Sequence, residues 1–216
     1  MPGLRARGVR RLAAGVAALL AAAALAACSR GESPLAGCHL PSGATVLAIG
    51  DSLTRGQGGD GEGYAEQLQQ RLGEAVTVVQ RGINGERSDG LLARIDDALA
   101  EHRPALVLIT SGGNDVLRRV PAERTRANLK AVAERVRAAG AVPVIFAVPQ
   151  PSVAAVVGLL DDHPLFDDLA GDLHVIPDVV AEVLSDDALK ADAIHPNRAG
   201  YTRLADAAAA VLQRCR

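Results

Sequence analysis

Aromatic side chains are nearly missing from this 216-residue chain: they make up 2% of it, and tryptophan is absent. Single-stranded nucleic-acid binding, which stacks bases on aromatic faces beside basic grooves, is therefore not expected. A basic excess is missing too. The formal net charge is -2, which leaves no cationic surface to neutralise phosphates, so no nucleic-acid partner is expected. His-x-His and His-Glu-x-x-His spacings are absent, and His39, His102, His163 and His174 are scattered. Cysteine is scarce, with three residues. What the chain does have is aliphatic side chains, with hydrophobic residues at 49%. The core must be built from Ala, Val, Leu and Ile, and any substrate pocket will be lined the same way. The length suits one domain with a substantial core.

The first 27 residues do not belong to that domain. Arg5, Arg7, Arg10 and Arg11 form a basic stretch, followed by an apolar run over 12–27 that is rich in Ala and Leu. The run is short for a membrane span of about 20 residues but suits the core of a signal peptide. Leu25-Ala26-Ala27-Cys28 then resembles a bacterial lipobox, in which cleavage leaves a cysteine that becomes acylated. Several acyl chains on one residue meet the requirement for stable anchoring. The expectation is a lipoprotein of the bacterial cell envelope, anchored in a membrane through Cys28 and facing the periplasm or exterior. Loss of the leader leaves 19 basic against 25 acidic side chains. With Cys28 lipidated, Cys38 and Cys215 remain. An oxidising envelope favours their pairing, and domain termini often lie close together. The expected disulfide Cys38–Cys215 is worth about 4–5 kcal/mol in the chain-entropy picture.

Residues 28–43, rich in Ser, Gly and Pro, read as a tether, and 44–216 as the domain. Short apolar runs with β-branched residues at 45–50, 76–80, 105–110, 142–148 and 173–176 read as strands. Stretches of helical period at 64–72, 89–102, 122–139, 153–170 and 197–214 alternate with them, and Gly140 is placed to end the third. Strands apolar throughout and alternating with helices predict an α/β fold. It is a three-layer α/β/α sandwich of about five parallel strands in flavodoxin-like order. Such sheets gather function at the carboxyl ends of their strands.

Four polar clusters, the first three bearing glycine, fall at that edge: Gly50-Asp51-Ser52-Leu53, Gly82-Ile83-Asn84-Gly85, Ser111-Gly112-Gly113-Asn114-Asp115, and Asp192-Ala193-Ile194-His195-Pro196. Acyl transfer needs a nucleophile, a base within hydrogen-bond reach and a group that orients the base. Ser52, His195 and Asp192 can fill these roles if the Asp192–His195 loop folds back on itself. The oxyanion needs preorganised donors. The Ser52 N–H, the Gly85 N–H and the Asn114 side-chain amide come in the right order to supply them.

In these clusters the chain resembles the SGNH, or GDSL, family of esterases and lipases. Gly50-Asp51-Ser52-Leu53 is similar to its first block, Gly85 to the second-block glycine, Gly112-Gly113-Asn114-Asp115 to the third block and Asp192-x-x-His195-Pro196 to the fifth. Gly82 competes for the second-block place, and the following Glu86-Arg87-Ser88 favours Gly85. The resemblance is strongest to the bacterial thioesterase/lysophospholipase/arylesterase branch and covers about 45–212. It implies a hydrolase of small carboxylic esters or thioesters, without metal or other cofactor, working through an acyl-enzyme on Ser52; a monomer is expected. One segment departs from that branch. Where the branch carries an Arg-Leu-Pro-x-Asn-Tyr-type loop, this chain reads Val148-Pro149-Gln150-Pro151-Ser152-Val153-Ala154 and then Asp161-Asp162-His163-Pro164. The branch's acyl specificity does not transfer with the motifs.

Three other readings compete. A carbohydrate O-deacetylase would use the same scaffold and mechanism. A catalytically silent envelope-binding lipoprotein would have lost part of the catalytic set. A metal hydrolase would recruit Asp51, Asp115, Asp192 and His195. Gly56-Gln57-Gly58-Gly59-Asp60-Gly61 matches a dinucleotide-binding pattern literally but starts beyond the strand end. It reads instead as a mobile rim of the active site.

Overall fold

The computed structural model describes Leu35 and residues 38–150, 159–170 and 173–215. The leader, Cys28 and the tether before Cys38, apart from Leu35, lie outside the described residues.

Strands β1 (Ala44–Gly50), β2 (Val76–Gly82), β3 (Leu106–Thr110), β4 (Val142–Phe146) and β5 (His174–Ile176) form one parallel sheet in the order β2-β1-β3-β4-β5. The order is the flavodoxin-like one, and each strand lies within two residues of its expected bounds at either end. β3 is buried at every position, as a strand covered on both faces must be. The chain runs outward from β1 to β2 and then returns to lay β3 on the other side of β1. The carboxyl ends of β1 and β3 therefore flank the switch point, where open α/β sheets place ligands.

The helices are α1 (Ser52–Arg55), α2 (Tyr64–Leu72), α3 (Ser88–His102), α4 (Gly113–Leu117), α5 (Ala122–Ala138), α6 (Val179–Ser185) and α7 (Arg198–Gln213). α3 packs on α5, and α2 and α6 pack on α7. Right-handed crossovers in opposite directions from β1 and β2 put the two groups on opposite faces. α3 buries Leu91, Ile95, Ala98 and Leu99, and α5 buries Leu129, Val132, Ala133 and Val136. Both patterns have the helical spacing that made these segments legible. Gly140 follows α5 with φ +81°, the left-handed position that glycine fills without steric cost. Asn197 starts α7 by accepting the Gly200 N–H at 3.0 Å.

The helix expected over 153–170 is not found in the part of it that is described. Pro149 and Asp162 form an isolated antiparallel bridge, and Pro164–Leu169 is a 3-10 turn. Pro164 brings no N–H into a helix and restricts the residue before it. His163 Nδ1 then caps the turn by accepting the Leu165 N–H. Leu165, Phe166 and Leu169 are buried, and their spacing imitated a helical stripe. At the other end of the molecule Cys38 and Cys215 are joined by a disulfide, with 4.8 Å between their α-carbons. The Leu40 N–H donates to the Cys215 carbonyl beside it.

Candidate active site

Ser52 is the first residue of α1, immediately after β1. Asp51 caps this short helix, its Oδ1 accepting the Leu53 N–H at 3.0 Å. As the first helical residue, Ser52 has no i-4 carbonyl for its own N–H, which stays available to a ligand. Gly50 lies so close to β3 that any Cβ would collide with the Thr110 carbonyl. Only glycine lets the Ser52 turn sit against the neighbouring strand.

The loop before α7 folds back on itself. Asp192 Oδ1 accepts the N–H groups of Ile194 at 2.8 Å and His195 at 2.9 Å, and the His195 carbonyl accepts the Ala191 N–H. This closure brings the imidazole back over the carboxylate. His195 Nδ1 lies 2.8 Å from Asp192 Oδ2, and Nε2 lies 2.9 Å from Ser52 Oγ. Burial alone would raise the Asp192 carboxyl. The hydrogen bond from His195, those from the two N–H groups and the attraction of the imidazole hold it below the ordinary carboxylate value. The ionised partner fixes the Nδ1–H tautomer, so that Nε2 faces Ser52 as an acceptor.

Of the expected oxyanion donors, Ser52 and Asn114 line the same cleft as His195, and Gly85 is not among its lining residues. Asn114 lies in α4, and its side-chain amide has no partner among the described residues. Gly85 is the third residue of a turn closed by the Glu86 N–H on the Ile83 carbonyl, with φ +75°. That is the position of a type II turn that glycine suits. Arg118, just after α4, donates to the Gly85 carbonyl at 2.9 Å and so ties this turn to the cleft-lining segment. Gly82 is packed against the backbone of Arg55, where no Cβ would fit.

The proposed carboxylate set for a metal does not converge. Asp115 is buried and accepts the Ser88 N–H and hydroxyl at 2.9 and 2.6 Å, and no three potential ligands gather among the described residues. Asp51 is occupied by the Leu53 N–H and the Thr110 hydroxyl. Since Thr110 donates to Asp51, its short contact with Thr54 Oγ1 has Thr54 as donor, and Tyr64 then donates to Thr54. This buried chain of hydroxyls ends on the carboxyl beside Ser52. Burial pushes the Asp51 carboxyl up to about 7, against the opposing hydrogen bonds.

The cleft has a volume of about 220 Å³, with aliphatic walls that include Leu53, Val116, Leu160, Val180, Leu184 and Ile194. No aromatic side chain lines it among the described residues. Sequence reasoning missed α6, which supplies Val180 and Leu184. Its seven residues are too few for a period to show. The Gly-rich loop is also not the loose rim expected. A Cβ on Gly58 would strike Ala191 and Pro196, and Gly59 abuts Tyr201. The Tyr201 hydroxyl donates to the Gln57 carbonyl. Gly58 and Gly59 serve close packing beneath the His195 loop and against α7.

Comparison with known proteins places this geometry. Residues 48–203 match the model of the GDSL-like lipase/acylhydrolase family. The chain is 40% identical to esterase TesA of Pseudomonas aeruginosa over 50% of its own length and 55% of that protein. It therefore spans about half the length of that relative. It is 31% identical to thioesterase 1/protease 1/lysophospholipase L1 of Escherichia coli K12 over 78% of its length and 83% of that protein. A solved structure of TesA, 30% identical, covers 80% of this chain and 99% of its own with a TM-score of 0.70. The chain belongs to the GDSL-like lipase/acylhydrolase family of ester hydrolases.

Proposed function

We propose that the chain is an exported, lipid-anchored serine esterase that hydrolyses aliphatic acyl esters or thioesters through an acyl-enzyme on Ser52. The observation that carries this reading is the Ser52–His195–Asp192 hydrogen-bonded line opening on an aliphatic cleft. Ser52 Oγ attacks the acyl carbon while His195 Nε2 takes its proton. The oxyanion is received by the Ser52 N–H, the Gly85 N–H and the Asn114 amide. The leaving group departs with the proton held by His195, and water, deprotonated by the same nitrogen, releases the acid. Asp192 stabilises the imidazolium throughout. Relatives named esterase, thioesterase/lysophospholipase and, in Vibrio mimicus, arylesterase support the substrate class.

The cleft favours an acyl chain over the bare acetyl group of a carbohydrate O-deacetylase, because its aliphatic walls extend from Leu53 to Leu184. A p-nitrophenyl ester series from acetyl to decanoyl, run with wild type and Ser52→Ala and with and without chelator, tests this. The reading expects kcat/KM to rise beyond acetyl, Ser52→Ala to be inactive and chelator to have no effect. A sharp optimum at acetyl would shift it to the deacetylase. Loss of activity with chelator would replace it with a metal hydrolase, and no turnover of any ester with a silent binding protein.

Anchoring at Cys28 in the bacterial cell envelope is supported by the lipobox-like Leu25-Ala26-Ala27-Cys28 and by the disulfide, a bond of oxidising compartments. Mass spectrometry of the mature N-terminus reads it directly: an acylated Cys28 in wild type, and none in Cys28→Ala. Action as a monomer completes the reading, and sedimentation tests that.

A further inference from the structure

One guanidinium joins several pieces of the site's edge. Arg94, in the middle of α3, donates from Nε to Glu86 Oε1 and from Nη2 to Glu86 Oε2, both at 2.6 Å. Its Nη2 also donates to the Arg81 carbonyl at 2.9 Å and reaches the Gly50 carbonyl at 3.3 Å. The Gly50 carbonyl in turn accepts the Ile83 N–H at 2.8 Å. Gly50 is the last residue of β1, directly before Asp51 and Ser52. Arg81 lies near the end of β2. Glu86 follows Gly85 and closes its turn. Neither the triad nor the cleft uses this pair.

Stability alone is a poor reason for such a pair. The Glu86 side chain is 7% exposed and that of Arg94 23%. Desolvating two charges costs about what their attraction returns, and apolar side chains of similar volume often serve as well. The pair supplies direction instead. A planar fork of fixed donors can grip a carboxylate with two bonds and still reach strand carbonyls, which a lysine ammonium cannot do in the same geometry. A type II turn needs such a grip, because its central amide can flip and reverse the Gly85 N–H.

We propose that Glu86 and Arg94 are positioning residues for the oxyanion site: their ion pair clamps the Gly85 turn to the strand end that carries Ser52. The proposal rests on the reading that the Gly85 N–H receives the oxyanion. Arg118 braces the same turn from the other side through the Gly85 carbonyl.

The test compares wild type with Arg94→Lys, Glu86→Gln, the double variant Glu86→Met/Arg94→Met, Gly85→Ala and Gly85→Ala/Arg94→Lys. For each, kcat and KM on p-nitrophenyl butyrate, the rate of Ser52 phosphonylation by a p-nitrophenyl phosphonate ester and Tm are measured. The clamp variants are expected to lose about ten- to a hundredfold in kcat, with phosphonylation slowed in parallel and KM nearly unchanged. The double Met variant is expected to regain most of the Tm lost by the single changes without regaining kcat. Arg94→Lys added to Gly85→Ala is expected to cost little further. If Arg94→Lys and the double Met variant keep wild-type kcat while Gly85→Ala is impaired, the pair is structural only and the Gly85 reading stands. If Gly85→Ala itself keeps wild-type kcat, the Gly85 reading fails and the proposal falls with it. Fully additive losses would also overturn the clamp.

Discussion

Asp115 takes both the backbone N–H and the hydroxyl of Ser88, 27 residues away, on its two carboxylate oxygens. The contact fastens the segment after β2 to the segment after β3, so the turn carrying Gly85 and the helix carrying Asn114 are held in one frame. The Ser88 hydroxyl proton is committed to Asp115, because Ser88 Oγ accepts from Asn128 Nδ2. Thr125 donates to the same carboxylate. Asp115→Asn would set an amide N–H against a donor in a buried site. A cost of about 1–3 kcal/mol is expected, seen as a Tm lower by about 3–10 °C in a thermal melt. An unchanged melt would show that the frame does not depend on this carboxylate.

Asp51 makes stability depend on pH. Its folded-state value of about 7 lies above the ordinary carboxyl value. The native state therefore holds a proton that the unfolded chain has already released, and stability falls as pH rises from about 4 through about 7. Asn at this position keeps an oxygen for the Leu53 N–H and the Thr110 hydroxyl and carries no charge. Asp51→Asn is expected to melt at a higher temperature than wild type at pH 8, with the difference shrinking towards pH 5. Melts across that range check it, and a constant difference would contradict the buried-acid origin.

Leu184 stands in the cleft wall on α6 and makes no hydrogen bond to Ser52 or His195. Leu184→Trp narrows the space for an acyl tail and leaves Ser52, His195 and Asp192 themselves unchanged. Turnover of acetyl esters is expected to stay within about threefold of wild type, while kcat/KM for octanoyl esters falls about tenfold or more, the scale of one to three kcal/mol for changed pocket contacts. The chain-length profile of the variant reads this out. A uniform drop at all lengths would place Leu184 outside the acyl path.

The Cys38–Cys215 bond closes a loop with a sequence separation of 177. Cys215→Ser is expected to cost up to about 5 kcal/mol, which lowers Tm by about 10–20 °C in a domain of this size. The site lies at the other end of the strands, so kcat at 25 °C should not change. Calorimetry beside a steady-state assay separates the two effects.

The sequence by itself determined the architecture and the chemical clusters. An interior strand such as β3, buried at every position, reads as a nearly unbroken apolar run, and amphipathic helices of 9 to 17 residues repeat their pattern often enough to be seen. Ser52, Asn114 and His195 were legible because each sits in a short motif at a strand end or helix start, where the backbone itself dictates the residue types. Tertiary structure decided the rest. Helices α1, α4 and α6 are too short to carry a period. The turn at 164–169 buries an apolar stripe that a proline kept from being an α-helix. The pairs Glu86–Arg94 and Asp115–Ser88 could not be read from spacing, because a charged or hydroxyl side chain has many possible partners and only packing chooses one. Gly58 and Gly59 looked like part of a loose loop for the same reason: glycine allows both mobility and close approach, and only the neighbours, Ala191, Pro196 and Tyr201, show which is used. The chain alone locates the residues that meet at the cleft, and the folded molecule locates the side chains that hold their turns in place, because that depends on contacts between segments far apart in sequence.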